Sequence, residues 1–235
     1  MALSRPLTPI EEKTATFESP LFLSADRIID ISVELRPDMP VYAQDLPVRF
    51  DDTMNMDRGD WVNLTTLHLN THVGTHFDAL HHVLNNGQMM GDYPLTRFIG
   101  PARVIDVGQD VYEIGPAHLK PHDIEGVKRL LVKTKASSFW QSHPTTFRQD
   151  FPAFTQAGAQ YLADAGIELI GIDYLSVELY DVPELPAHKA FMNAGITILE
   201  GINLSHVKPG DYTLVALPLK LDALDGTPGR AVLLQ

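Results

Sequence analysis

The apolar positions of this chain fall into short aliphatic runs broken by glycine, proline and polar turns, a pattern that predicts many strands and few helices. Aliphatic, largely β-branched segments predict strands at 27–33, 62–69, 102–107, 129–133, 168–172, 195–199, 212–217 and 230–234. The helical period is clearest over 154–165, where Phe154, Ala157, Gly158, Tyr161, Leu162 and Ala165 share one face. Pro152 precedes that segment and Gly166 ends it, as helix termini favour. It runs into the strand near Leu169, and the stretch from His188 repeats the order helix, glycine, strand before Glu200. Such alternation predicts an α/β fold, a mixed β-sheet with helices and extra strands on the N-terminal side.

Composition narrows the partners. With 235 residues, 44% of them apolar, the chain can bury a sizeable core, and a single domain over 1–235 is expected, with 1–25 as an extended N-terminal arm. No linker or repeat interrupts it. A net charge of −12 and a pI near 5.1 lack the basic footprint that nucleic acid or an anionic membrane requires, so a small molecule is the expected partner. There is no cysteine, residues 1–17 carry charges and prolines where a secretory signal needs an apolar core, and no apolar run suits a membrane span. A cytoplasmic location is the default expectation.

The chemistry concentrates in His72-Val73-Gly74-Thr75-His76-Phe77-Asp78-Ala79-Leu80-His81-His82. Positions 72, 76, 78 and 82 differ by even numbers, so in an extended segment their side chains project to one side, and Gly74 lets the backbone bend and converge them. Imidazole nitrogen and carboxylate oxygen suit zinc, manganese or iron. The lack of thiolate argues against a closed structural zinc site. Farther on, Glu200 ends an apolar run, Ile196 to Leu199, bounded by Gly195 and Gly201. A carboxylate at the end of a buried strand needs a cation or hydrogen-bond donors to meet it; emergence into solvent is the alternative. His188, beside Pro186, reads by itself as a helix-start or loop residue.

The segment from His72 to His82 resembles the H-x-G-T-H-x-D-x-P-x-H signature of the cyclase family of metal-dependent hydrolases, which includes bacterial kynurenine formamidases and isatin hydrolases. Leu80 stands where that signature has proline. Matched residue by residue, the resemblance implies metal ligands at His72, His76 and Asp78 and a catalytic histidine at His82 rather than His81. It implies a second ligand pair at His188 and Glu200, twelve positions apart in the segment Ala187 to Gly201. Pro40-Val41-Tyr42, Gly100 to Ile105, Leu217 to Lys220 and Asp225-Gly226-Thr227-Pro228 extend the likeness over most of the chain, whereas Ala43-Gln44 departs from a common Pro-Gly.

The resemblance also implies a swivelling β/β/α fold, a homodimer or homotetramer, and two divalent ions per chain, zinc with manganese as the alternative. Such a centre activates water against an amide carbonyl, with His82 as general acid/base because histidine titrates near neutral pH. A further ligand or a donor to Asp78 is the alternative role for His82. The substrate implied is N-formylkynurenine, hydrolysed to kynurenine and formate; isatin or another cyclic amide or lactone is the alternative. A non-catalytic metal-binding protein is the reading from a different class. Trp61, Tyr42 and Phe77 are candidates to stack on an aromatic substrate, although aromatics are more often core. Met54, Met56, Met89 and Met90 are candidate adaptable liners, and Thr227 a candidate hydrogen-bond partner of a catalytic group.

Overall fold

A computed structural model describes residues 27–43, 45–222 and 224–235. The expected N-terminal arm and Gln44 lie outside the described residues. In chain order the elements are β1 (Ile28–Asp30), β2 (Arg49–Met54), β3 (Leu64–His68), β4 (His76–Asp78), β5 (Ile99–Asp106), β6 (Glu113–Ile114), α1 (Pro116–Leu119), β7 (Arg129–Lys133), α2 (Phe139–Ser142), β8 (Ala153–Phe154), α3 (Gln156–Asp164), β9 (Leu169–Ile172), α4 (Pro186–Asn193), β10 (Thr197–Glu200), β11 (Gly210–Pro218) and β12 (Gly226–Leu234). The main sheet runs β1-β12-β11-β5-β7-β9-β10-β4, and β4 pairs again with β12, so the sheet closes on itself. Strands β5, β7, β9 and β10 are parallel to their neighbours in that run and the other pairings are antiparallel, giving the mixed α/β architecture the alternation predicted. Among the described residues no helix is long and apolar enough to cross a membrane.

Strand alternation divides the core in two. Val104, Leu131, Leu169, Leu199 and Phe77 point into the closed sheet, where they meet Phe98, Leu214 and Leu233. Their neighbours Ile105, Leu130, Val132, Ile170 and Ile198 point outward and are covered by Leu119, Leu162, Ala187, Phe191 and Met192 from the helices. Each fully buried aliphatic or aromatic side chain contributes about 1.5–3 kcal/mol. Phe191 of α4 sets its ring edge-on to Phe154, centroids 5.2 Å apart, which fixes α4 against β8.

The predicted strand at 129–133 coincides with β7, and those at 168–172 and 195–199 differ by a residue or two from β9 and β10. The predicted helix is shorter than its apolar stripe. Phe154 belongs to β8, and Thr155 caps the helix by accepting the Gly158 N–H with its hydroxyl. Strand β2 escaped prediction because Arg-Phe-Asp-Asp-Thr-Met, paired only with β3 in a separate ribbon, is mostly exposed and shows no apolar alternation. Strand β4 escaped because two of its three residues are ionisable.

Candidate metal centre

The closed sheet builds the centre through β4. His76 and Asp78 lie on one face of this strand, with Phe77 between them on the other, and β10 pairs alongside so that Glu200 is directly opposite His76. Those three side chains therefore leave the sheet in the same direction. His72 joins them because Gly74 takes a left-handed conformation, φ 61°, which folds the preceding turn over the strand. His188 comes from the first turn of α4, on the helix-covered side of β10.

Their polar atoms converge. His72 Nδ1 lies 2.7 Å from Asp78 Oδ1, and His76 Nε2 lies 3.5 Å from the same oxygen and 3.2 Å from Glu200 Oε2. His188 Nε2 stands 3.6 Å from both Asp78 Oδ2 and Glu200 Oε1. Each histidine thus turns one nitrogen inward, and in each the other nitrogen is fixed from behind. Asp225 Oδ2 is 2.8 Å from His72 Nε2, the Gly74 carbonyl is 3.0 Å from His76 Nδ1, and Glu178 Oε2 is 3.2 Å from His188 Nδ1. Acceptors behind the ligating rings are what metal-bound histidines require for one tautomer and a fixed orientation. His76 Nε2 and Asp78 Oδ2 are buried and have no hydrogen-bond partner, although burying an unpaired polar atom is costly. Both point into the convergence, where a divalent cation would satisfy them. The donor set fits such an ion: imidazole nitrogens and carboxylate oxygens from His72, His76, Asp78, His188 and Glu200.

The charges agree. Burial alone would raise the Asp78 carboxyl, but His72, His188 and His76 hold it well below the usual range. Burial and Asp78 both push Glu200 up, and His188 and His76 overcome them and bring it down. Burial opposes the charge on His72, yet the Asp78 and Asp225 carboxylates raise it to about 9. His188 likewise overcomes burial through Asp78, Glu178 and Glu200, ending well above its ordinary value.

His82 stands beside this group. Its ring centroid is 4.1 Å from that of His72 and 5.9 Å from that of His188, and its Nδ1 is 3.7 Å from Asp225 Oδ2. It arrives by a route different from the expected extended phase: Leu80–His82 is a single 3-10 turn, so the alternation that aligns His76 with Asp78 does not continue to residue 82. Burial depresses its pKa, leaving a neutral imidazole at neutral pH.

The other candidates scatter. Phe77 is fully buried inside the closed sheet, edge-on to Phe98, because alternation turns it away from the face bearing His76 and Asp78; it cannot stack on a ligand there. Trp61 is 92% exposed in the connection between β2 and β3. The Thr227 hydroxyl is buried against the Pro228 carbonyl at 3.3 Å, so it bonds to backbone rather than to a catalytic group. Met56 is exposed and Met90 is core. Tyr42 is half-buried among aromatic rings, near enough to Glu200 for that carboxylate to add to the burial that lifts its hydroxyl to about 12. The sequence reading missed Glu178 and Asp225. Glu178 follows the buried stretch from Tyr174, and Asp225 belongs to a tetrapeptide that turn chemistry explains; the β12–β4 pairing is what brings it beside His72.

Comparison with known proteins gives the same picture. The Cyclase family model matches residues 29–179. A kynurenine formamidase of Geobacillus thermodenitrificans is 42% identical over 205 residues, 87% of this chain and 96% of its own length. A solved structure described as a "potential metal-dependent hydrolase with cyclase activity" superposes with a TM-score of 0.76 at 30% identity, covering 88% of this chain and 96% of its own. Isatin hydrolase A of Labrenzia aggregata, bound to benzyl benzoate, superposes with a TM-score of 0.74 at 26% identity over 88% and 93%. With the family model spanning more than half of the chain and a relative this similar along nearly its whole length, the chain belongs to the cyclase family of metal-dependent hydrolases.

Proposed function

We propose that this protein hydrolyses the formamide bond of N-formylkynurenine to give kynurenine and formate, using two divalent ions, zinc with manganese as the alternative, held by His72, His76, Asp78, His188 and Glu200. The observation that carries this reading is the convergence of three imidazoles and two carboxylates, each ring backed by an acceptor, with the neutral imidazole of His82 beside them. The 42% identity to a kynurenine formamidase favours the substrate.

A bound divalent ion lowers the pKa of coordinated water towards about 7 and polarises a carbonyl oxygen. The rest falls to the chain. Asp78 and Glu200 remain ionised, so they hold the cation without first losing protons. His82, neutral and partly exposed, takes a proton from the attacking water as its oxygen bonds to the formyl carbon. It returns that proton to the aromatic amine nitrogen as the C–N bond breaks, so the amine leaves neutral.

The protein acts as a homodimer or homotetramer in this reading. Phe50 and Leu67 are exposed and directly opposite on one face of the ribbon of β2 and β3, an apolar pair suited to contact with a second subunit. Light scattering at low micromolar concentration tests this, and a monomer rules it out.

Turnover of N-formylkynurenine and of isatin by metal-reconstituted protein tests the function. A formamidase releases formate from the first. Activity confined to isatin replaces this reading with the second one, isatin hydrolase, which the superposition on isatin hydrolase A favours.

A further inference from the structure

The parallel strands end at the metal centre, and where they begin they carry an unbalanced charge. Glu200 is the last residue of β10, whereas Arg129 is the first of β7 and pairs level with Leu169 and Thr197, at the opposite end of the sheet. Arg129 shares a face of β7 with Leu131, which points into the closed sheet, and the residue is only 8% exposed. Among the described residues its guanidinium bonds to backbone alone. Nε donates to the Arg97 carbonyl at 3.0 Å, Nη1 to that of Pro101 at 3.4 Å, and Nη2 to that of Thr96. Arginine has five N–H donors, so one remains on each terminal nitrogen.

The charge remains as well. Carbonyls satisfy donors but carry no net charge, and a buried cation without a counter-ion is costly. Arg129 forms no ion pair among the described residues. Burial pushes its guanidinium down and Arg97 adds to this, opposed by Glu168 alone. That carboxylate is already taken, 3.2 Å from Lys128 and 4.0 Å from Arg97. Space adjoins the uncompensated group. A cavity of about 440 Å³ is lined by Arg129, Lys128 and Arg103 against Glu125 and Asp211, with Tyr212 on one wall. Asp211 is spent on Arg103 through contacts of 2.6 and 2.9 Å. Beside the cavity the sequence keeps a glycine: a Cβ at Gly100 would press on the guanidinium, 3.0 Å from Nη1.

We propose that Arg129 anchors a binding site for a small oxyanion, a carboxylate or a phosphate, in this cavity at the end of the sheet opposite the metal centre. The N–H groups left on Nη1 and Nη2 are the paired donors that such an anion accepts from arginine, and Lys128 adds charge beside them. The anion supplies the counter-charge that Arg129 lacks. It thereby strengthens the tie between β7, the turn at Thr96 and Arg97, and β5, so occupancy stabilises the fold. None of these residues belongs to the metal centre, and the site stands independently of the hydrolase reading.

Calorimetric titration of the zinc-loaded protein with inorganic phosphate and, in a second arm, with acetate tests the site. Saturable binding is expected; phosphate alone marks a phosphoryl ligand and acetate alone a carboxylate. Arg129→Lys keeps the charge and loses the paired donors, so it should weaken that binding about tenfold at unchanged zinc content. This difference separates the site from capture of the anion by the metal. The bound anion should also raise the melting temperature of wild type, and that of Arg129→Lys much less. No saturable binding of either anion, or equal affinity in wild type and Arg129→Lys, overturns the proposal. Where Arg129→Lys fails to fold, wild-type crystals soaked in the bound anion decide. Density on the Arg129 guanidinium supports the site, and density only elsewhere, or none, overturns it.

Discussion

Glu178 ties the start of α4 to His188 through a single oxygen. Its Oε2 receives the N–H groups of Ala187 at 2.9 Å and His188 at 3.1 Å and lies 3.2 Å from His188 Nδ1. One buried carboxylate thus satisfies helix-terminal donors and sets the orientation of the His188 ring. Glu178→Ala is expected to weaken metal binding about 10–100-fold and to lower thermal stability even without metal; Glu178→Gln, which keeps an acceptor, loses less. Chelator competition and calorimetric melting measure the two effects separately. Unchanged affinity in Glu178→Ala would show that His188 needs no support from behind.

Proton transfer and metal holding separate on two residues. His82→Ala should keep its metal and lose about 10²–10⁴ in kcat, whereas His81→Ala changes little. The loss shrinks for an ester whose leaving group departs without a proton. Glu200→Ala, by contrast, loses metal and activity together. Elemental analysis beside turnover distinguishes these outcomes, and metal loss in His82→Ala would make residue 82 a ligand.

His72 predicts a pH dependence. Without metal it lies between Asp78 and Asp225, a position in which only the imidazolium donates to both, and its pKa is about 9 against an ordinary 6.5. A raised folded-state pKa contributes stability that is complete below about 6.5 and disappears as pH rises through about 9. The metal-free protein should therefore lose melting temperature across that window. Metal must displace the Nδ1 proton, so binding near pH 7 releases protons and tightens as pH rises. Calorimetry in buffers of different ionisation enthalpy counts the protons; none released at pH 7 would contradict this account.

Gly201 carries its own prediction. Its φ is 68°, and a Cβ there would lie 1.8 Å from the Gly74 carbonyl oxygen, the acceptor of His76 Nδ1. Gly201→Ala should destabilise by about 2–4 kcal/mol, combining left-handed strain with a backbone clash, and should weaken metal binding because the support of His76 moves. Unaltered melting and metal affinity would refute the close approach.

The residues that converge at the centre were legible because their identities and spacing are local. Gly74 announced the bend, and alternation aligned His76 with Asp78. What supports them was not. Glu178 acts on a residue ten positions away and Asp225 on one 153 positions away, and each has an ordinary local explanation. The same alternation that aligned the ligands should have removed Phe77 from the substrate candidates. For β2 there was no signal at all, since a ribbon exposed on both faces needs no apolar pattern.

The closure of β4 onto both β10 and β12 has a mechanical meaning once the centre is filled. Its donors come from the stretch 72–78 and from 188 and 200, so an ion grips segments that begin and end more than half the chain, and acts as a reversible cross-link between them. Removing it takes away one tether of α4, which the buried Phe191 and the Glu178 carboxylate go on holding. Proteases then find the stretch from Asp181 to Leu185 first, strained by positive φ at Asp181, Glu184 and Leu185, and digestion rate becomes a gauge of metal occupancy.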